Sequence, residues 1–166
     1  MLNPSEQIIL KNFAERLRSD IQKAIKTKKV TKFGAVNSSG RLHDSVEIQY
    51  TDNGFKILAN DYIEGLIWGV KPGDSTATVG DIENWIQEKP IQSSIPSGTL
   101  AAMIIRKQQK EGNMIWRTHK GANSGLLTEA LAEDKFDSFI ELIASASVEQ
   151  LSDNVVKSFE LNLAAV

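Results

Sequence analysis

Val46-Glu47-Ile48-Gln49-Tyr50-Thr51-Asp52-Asn53-Gly54-Phe55-Lys56-Ile57-Leu58 carries the clearest structural signal in the chain. Val46, Ile48 and Tyr50 alternate with Glu47 and Gln49, the two-residue period of a half-buried strand. Asp52-Asn53-Gly54 is a strong turn signal, because Asn and Gly both tolerate positive φ. Phe55 and Ile57 alternate with Lys56 on the return. The run reads as a β-hairpin over about 46–58. An isolated hairpin is marginal in water, so its apolar face is expected to pack on the helix that precedes it.

That helix is legible upstream. Asn3 suits the cap, Pro4 the first helical position and Glu6 the first turn. Ile9, Phe13, Leu17, Ile21 and Ile25 recur at four-residue spacing and make one apolar stripe. Lys26, Lys28, Lys29 and Lys32 follow at the end, where cations complement the helix dipole. Residues 34–45 read as loop.

Downstream of the hairpin, Tyr62 to Val70 is apolar with Gly65 and Gly69, and reads equally as a strand or a short helix. Lys71-Pro72-Gly73-Asp74 breaks the pattern. A short helix follows, with Asp81 as cap and Ile82, Trp85 and Ile86 on one face, ended by Lys89-Pro90. Another runs from Ser97 or Thr99 to Glu111, with Leu100, Met103, Ile104 and Lys107 inward, and stops at Gly112. Met114-Ile115-Trp116-Arg117 alternates like a third strand. Leu127, Leu131, Ile140 and Ile143 mark a helix over about 126–144. Ser147 with Gln150 resembles a capping box opening a last helix, with Val148, Leu151, Val155 and Phe159 inward. The segment Leu161 to Val166 is unusually apolar for a chain end. The order predicts an α+β fold in one domain over 1–166. In it, a small antiparallel sheet packs against N-terminal, middle and C-terminal helices. Residues 147–166 form a helical extension whose apolar tail serves interfaces.

Bulk properties narrow the function. The chain has 166 residues, 41% of them hydrophobic, enough for a real core, and a formal net charge of -2. That balance does not point to nucleic acid, although local basic surfaces remain. No cysteine is present, which excludes disulfides, thiolate metal sites and thiol catalysis. The start lacks the basic-then-apolar order of a secretory signal, and no run approaches the ~20 apolar residues of a membrane span, so a soluble protein is expected.

Chemistry-bearing motifs are scarce. His43 and His119 lack metal-ligand spacing. Glu129, Glu133 and Asp134, and likewise Asp81 and Glu83, read as solvated helix faces and caps. Ser94, Ser97 and Ser124 sit in no nucleophile elbow, and no phosphate-binding glycine motif occurs. No catalytic, cofactor or metal site is therefore expected, and the chain reads as a non-enzyme. Two basic clusters remain: Lys26, Lys28, Lys29 and Lys32, and Arg106, Lys107 and Lys110. They read as solvated helix ends or as surfaces facing a phosphate backbone.

One ordered series of segments resembles a known family. It comprises Gly40-Arg41-Leu42 with Ser45, then the hairpin, then Tyr62, Gly69, Pro72-Gly73, Trp85, and the helix from Leu100 to Gly112. It is similar to the head–tail joining and tail-completion proteins of tailed bacteriophages, also called neck or minor tail proteins. Ile67, Trp68 and Val70 depart from the family pattern. The resemblance implies a structural virion protein, made in the bacterial cytoplasm, that forms a homo-oligomeric ring. Its implied partners are portal, adaptor or tail proteins, with no cofactor, no membrane and no catalysis. In such a ring, Leu66, Ile67, Trp68, Val70, Leu161, Leu163 and Val166 are the candidate interface residues. The two basic clusters are the candidate DNA-facing residues. A small nucleic-acid-associated accessory protein using the lysines is the alternative.

Overall fold

The computed structural model describes residues 2–30, 40–89, 91 and 93–163, with side chains described as far as Val155 at the C-terminal end. The expectations for Lys32, for the side chains of Phe159, Leu161 and Leu163, and for Val166 lie outside the described residues. The element order is α1 (Pro4–Thr27), α2 (Arg41–Asp44), β1 (Glu47–Thr51), β2 (Gly54–Leu58), α3 (Tyr62–Ile67), α4 (Val79–Glu88), α5 (Ser97–Glu111), α6 (Met114–His119) and α7 (Glu133–Leu163). This is an α+β fold with a two-stranded antiparallel sheet.

The start of α1 follows from its first residues. The Asn3 side chain accepts a hydrogen bond from the Glu6 backbone N–H at 2.8 Å. Glu6 Oε2 accepts one in return from the Asn3 N–H at 2.8 Å. This reciprocal box satisfies two donors that a helix start otherwise leaves open. Leu17, Ile21 and Ile25 are buried as the stripe predicts. They meet Leu42, Val46, Ile115, Leu126, Leu127 and Ala130 in one core. Among the buried residues of that core, α1 contributes the long-helix side, with Phe136 of α7 packed against its margin. The rest comes from short elements and turns.

The hairpin pairs Ile48 with Ile57 and Tyr50 with Phe55. Phe55 meets Phe13 of α1 edge-on, with ring centroids 6.1 Å apart, so the sheet packs on α1 as expected. The turn forms differently from expectation. Neither Asn53 nor Gly54 adopts the left-handed region.

Other expectations are corrected. Residues 41–44, expected as loop, form the short helix α2. Met114 to Arg117 is helical, because the Asn113 side chain accepts from the Trp116 N–H at 2.8 Å and caps α6. A four-residue alternation is too short to separate strand from helix. Asp81 sits three residues inside α4. The cap is Thr78, whose hydroxyl accepts from the Asp81 N–H at 3.2 Å while Asp81 Oδ2 accepts from the Thr78 N–H at 2.8 Å. Residues 126–131 are turns that plug the core with Leu126 and Leu127. A single helix α7 then runs through Ser147 without a break.

α7 lies antiparallel along α1. Lys135 pairs with Asp20, Phe136 and Phe139 pack on Phe13 at 5.4 and 4.3 Å, Ser147 reaches Glu6, and Gln150 accepts from Asn3. Ser147 is therefore not a cap. Its hydroxyl lies 2.5 Å from Glu6 Oε1 and 2.9 Å from the Ile143 carbonyl. One proton serves one acceptor, and the carboxylate is the stronger. Val148, Leu151 and Val155, expected inward, are 66%, 64% and 52% exposed. The apolar side chains of α7 that meet α1 are instead Phe136 and Phe139, which pack on Phe13.

Truncating Phe13 removes the ring on which Phe55, Phe136 and Phe139 converge. Phe13→Ala is expected to cost about 3 kcal/mol, read as a lowered urea midpoint with an unchanged far-UV spectrum before the transition. A second outcome concerns acid. The Ser147 hydroxyl, then the Asn3 N–H, hold the Glu6 carboxyl below its ordinary value. A depressed carboxylate stabilises the fold above its unfolded pKa, about 4.3, and the contribution fades as pH falls through the lower folded value. Ser147→Ala should shrink the difference in melting temperature between pH 6 and pH 3 while leaving a folded protein at neutral pH.

Candidate assembly surface

Asn113, Trp116 and Ser124 form a frame around the C-terminal end of α3. A six-residue helix leaves most of its carbonyls unpaired, and these must find other donors. The Asn113 side chain donates to the Gly65 carbonyl at 3.1 Å, and the Asn113 N–H to that of Val70 at 2.9 Å. The Ser124 hydroxyl donates to Leu66 at 2.7 Å, and its N–H to Ile67 at 2.8 Å. Two residues far along the chain thus hold the segment that presents Trp68.

Trp116 is the packing centre of this frame. Gly69, with φ 78°, leaves room only for a hydrogen: a Cβ there would lie 2.4 Å from the Trp116 backbone nitrogen. Gly112 and Gly121, also at positive φ, abut the Trp116 ring in the same way. The Lys71 ammonium sits 5.8 Å from that ring's centroid. The remaining family-like residues also have structural roles. Gly40 turns into α2 with φ 82°. Leu42 is 1% exposed in the core. Arg41 pairs with Glu88 at 2.7 Å and so ties α2 to α4. The Ser45 hydroxyl donates to the Leu42 carbonyl and accepts from the Asn60 N–H. Pro72 and Gly73 turn the chain back, with the Gly73 N–H donating to Gln109 at 2.9 Å.

Of the expected interface residues, Trp68 stands half out of the surface at 50% exposure. Leu66 and Ile67 instead turn toward the core and pack against it. Val70 is half-buried. Tyr62 and Trp85 are also surface residues, with Lys89 over the Trp85 ring at 5.2 Å.

The basic clusters are partly engaged. Lys26 and Lys29 are exposed, whereas Lys28 pairs with Glu129 at 2.9 Å and lowers its pKa. Arg106, Lys107 and Lys110 are exposed along α5, and so is Met103; Met103 and Lys107 therefore do not face inward as expected. Several hydroxyls and acids take part in structural bonds. Ser97 donates to Glu83 and Asp81 completes a capping box. His43 contacts the neighbouring Asp44 at 2.8 Å. Among the described residues, no group of three His, Asp or Glu side chains is placed to hold a metal, and no helix is long and apolar enough to cross a membrane. A cleft of about 260 Å³ between α1 and the turns before α7 is lined by Asp20, Lys23, Thr27, Lys28, Glu129 and Lys135. Its charges pair off as Lys28 with Glu129 and Lys135 with Asp20.

No protein-family model, no curated protein and no solved structure matches the chain.

Asn113, Trp116 and Ser124 were not singled out as site residues from sequence. The only trace of the frame there is the scatter of glycines at 69, 112 and 121, which converge on one indole only after folding. Gly69→Ala should destabilise by at least about 2 kcal/mol, since it adds a backbone clash to left-handed strain. Gly73→Ala, at φ 87° with nothing within 4 Å, should cost only the strain, about 1 kcal/mol. Denaturant midpoints of the two variants check the ordering.

Proposed function

We propose that this chain is a structural virion protein of a tailed phage, a ring-forming subunit at the head–tail connector, neck or tail-completion position, with no catalytic role. The observation that carries the reading is a rigidly framed, outward-facing Trp68 together with the exposed apolar side chains of α7. Large apolar groups that remain in water on a folded subunit favour burial against another surface. Tryptophan is favoured at the centres of such contacts. The order of the family-like segments, in which Gly69 and Gly112 abut Trp116, adds to the case. In a ring, one patch meets a different patch on the neighbour. Lys26 and Lys29 support a loose, salt-sensitive contact with DNA inside the channel.

Light scattering and negative-stain imaging of the chain, alone and mixed with portal, adaptor and tail proteins, test the proposal. Rings or stable complexes are expected. Trp68→Ala should weaken them by at least tenfold, while changing stability by no more than about 0.5 kcal/mol. A monomer with no affinity for any virion component overturns the reading.

A further inference from the structure

α7 carries two apolar seams. One, through Phe136, Phe139 and Ser147, lies on α1. The other runs Asp137, Glu141, Ala144, Val148, Leu151, Val155, with steps of four and three residues, the spacing of a coiled-coil face. Every residue of this second seam is exposed. Its N-terminal part is acidic and its C-terminal part apolar. α5 carries an exposed seam of the same spacing, Thr99, Met103, Arg106 and Lys110, with Lys107 beside it. Met103 is 55% exposed. Here the N-terminal part is uncharged and the C-terminal part basic.

The charges on these seams form no ion pairs among the described residues, although Lys107 and Lys110 act at longer range on Glu111 of the same helix. The helix dipole accounts for acids in the first turn of α7 and for Lys110 in the last turn of α5, but its influence does not extend to Asp137, Glu141 or Arg106. α7 packs on α1 and α5 packs on α4, so neither helix covers the other's seam within the chain.

We infer that the open seam of α7 docks antiparallel onto the α5 seam of a second copy of this chain. In that direction Asp137 and Glu141 meet Lys110 and Arg106, and Ala144 and Val148 meet Met103 and Thr99. Leu151 and Val155 then reach past the start of α5 toward Ile95 and Ile91, which are 38% and 39% exposed. The opposite direction sets acids against the uncharged end and leaves the bases on apolar side chains. Pairing of α7 with α7 in parallel sets acid on acid. The contact is head-to-tail, because each copy offers one α7 seam and one α5 seam, and it therefore propagates into a ring or a filament. The inference rests on the reading of the chain as a self-assembling subunit and specifies the surfaces used.

Sedimentation over a concentration series, at low and high salt, reads the association. The wild-type chain should self-associate, less so at high salt. Arg106→Glu with Lys107→Glu and Lys110→Glu, or Asp137→Lys with Glu141→Lys, should each weaken association at least tenfold. An equimolar mixture of the two variants, and one chain carrying both sets, should recover it. Met103→Asp and Val148→Asp, at exposed positions that leave the core intact, should weaken it alone if either charge set unfolds the chain. Wild-type association unaffected by these changes overturns this interface and leaves the assembly role standing. So does loss of DNA binding, without loss of association, in the α5 variant. A wild-type monomer that binds portal or tail proteins overturns the interface alone, whereas one that binds none of them removes the assembly role as well.

Discussion

Burial of the apolar face of α1 is the constraint on which the rest of the structure depends. Leu17, Ile21 and Ile25 are nearly excluded from water. What covers them is a patchwork of α2, the first residue before β1, α6 and the turns at 126–130. None of these pieces is long enough to hold its own shape, since short isolated helices and hairpins are marginal in water. Each becomes stable by placing one or two side chains against α1. The hairpin adds Phe55, and α7 adds Phe136 and Phe139, to the same surface through Phe13.

A second layer of order comes from polar groups that close chain ends. Helix α3 is held by Asn113 and Ser124, whose donors satisfy four successive or nearby carbonyls. Such bonds contribute modestly one by one, but leaving the carbonyls unpaired under the surrounding structure would be costly. The consequence is positional. Trp68 follows directly from this clamped segment, so an exposed indole is presented from a fixed backbone rather than from a free loop. A rigid anchor loses less entropy on docking than a mobile one, which suits the assembly role proposed for this chain.

The charge distribution has the same logic. Near-neutral overall, the chain separates its charge by element: acids along α7, bases along α5 and at the end of α1. Where opposite charges come together within the chain, as in Lys28 with Glu129 and Lys135 with Asp20, they join α1 to the segment before and at the start of α7. The charges on the outer faces are left for water or for neighbours.

Short-range signals made α1, the hairpin, α4 and α5 legible in the sequence. A cap, an apolar period and a glycine or proline stop all act within a few residues, so local reading places these elements, although it set the α4 cap at Asp81 instead of Thr78 and turned Met103 and Lys107 inward. Local reading failed where two structures share one local pattern. The alternation at Met114 to Arg117 fits a strand, but a side-chain cap from Asn113 makes it a helix. Ser147 with Gln150 fits a helix start, but the helix continues because Ser147 is bound to Glu6 across the fold. The inward sense expected of Val148, Leu151 and Val155 is likewise wrong, since all three are exposed. An apolar stripe on a long helix shows that a partner is wanted and not which stripe the rest of the chain will cover. That choice, and the meeting of Gly69, Gly112 and Gly121 around Trp116, depend on contacts between residues tens of positions apart, which only the tertiary structure brings within van der Waals reach.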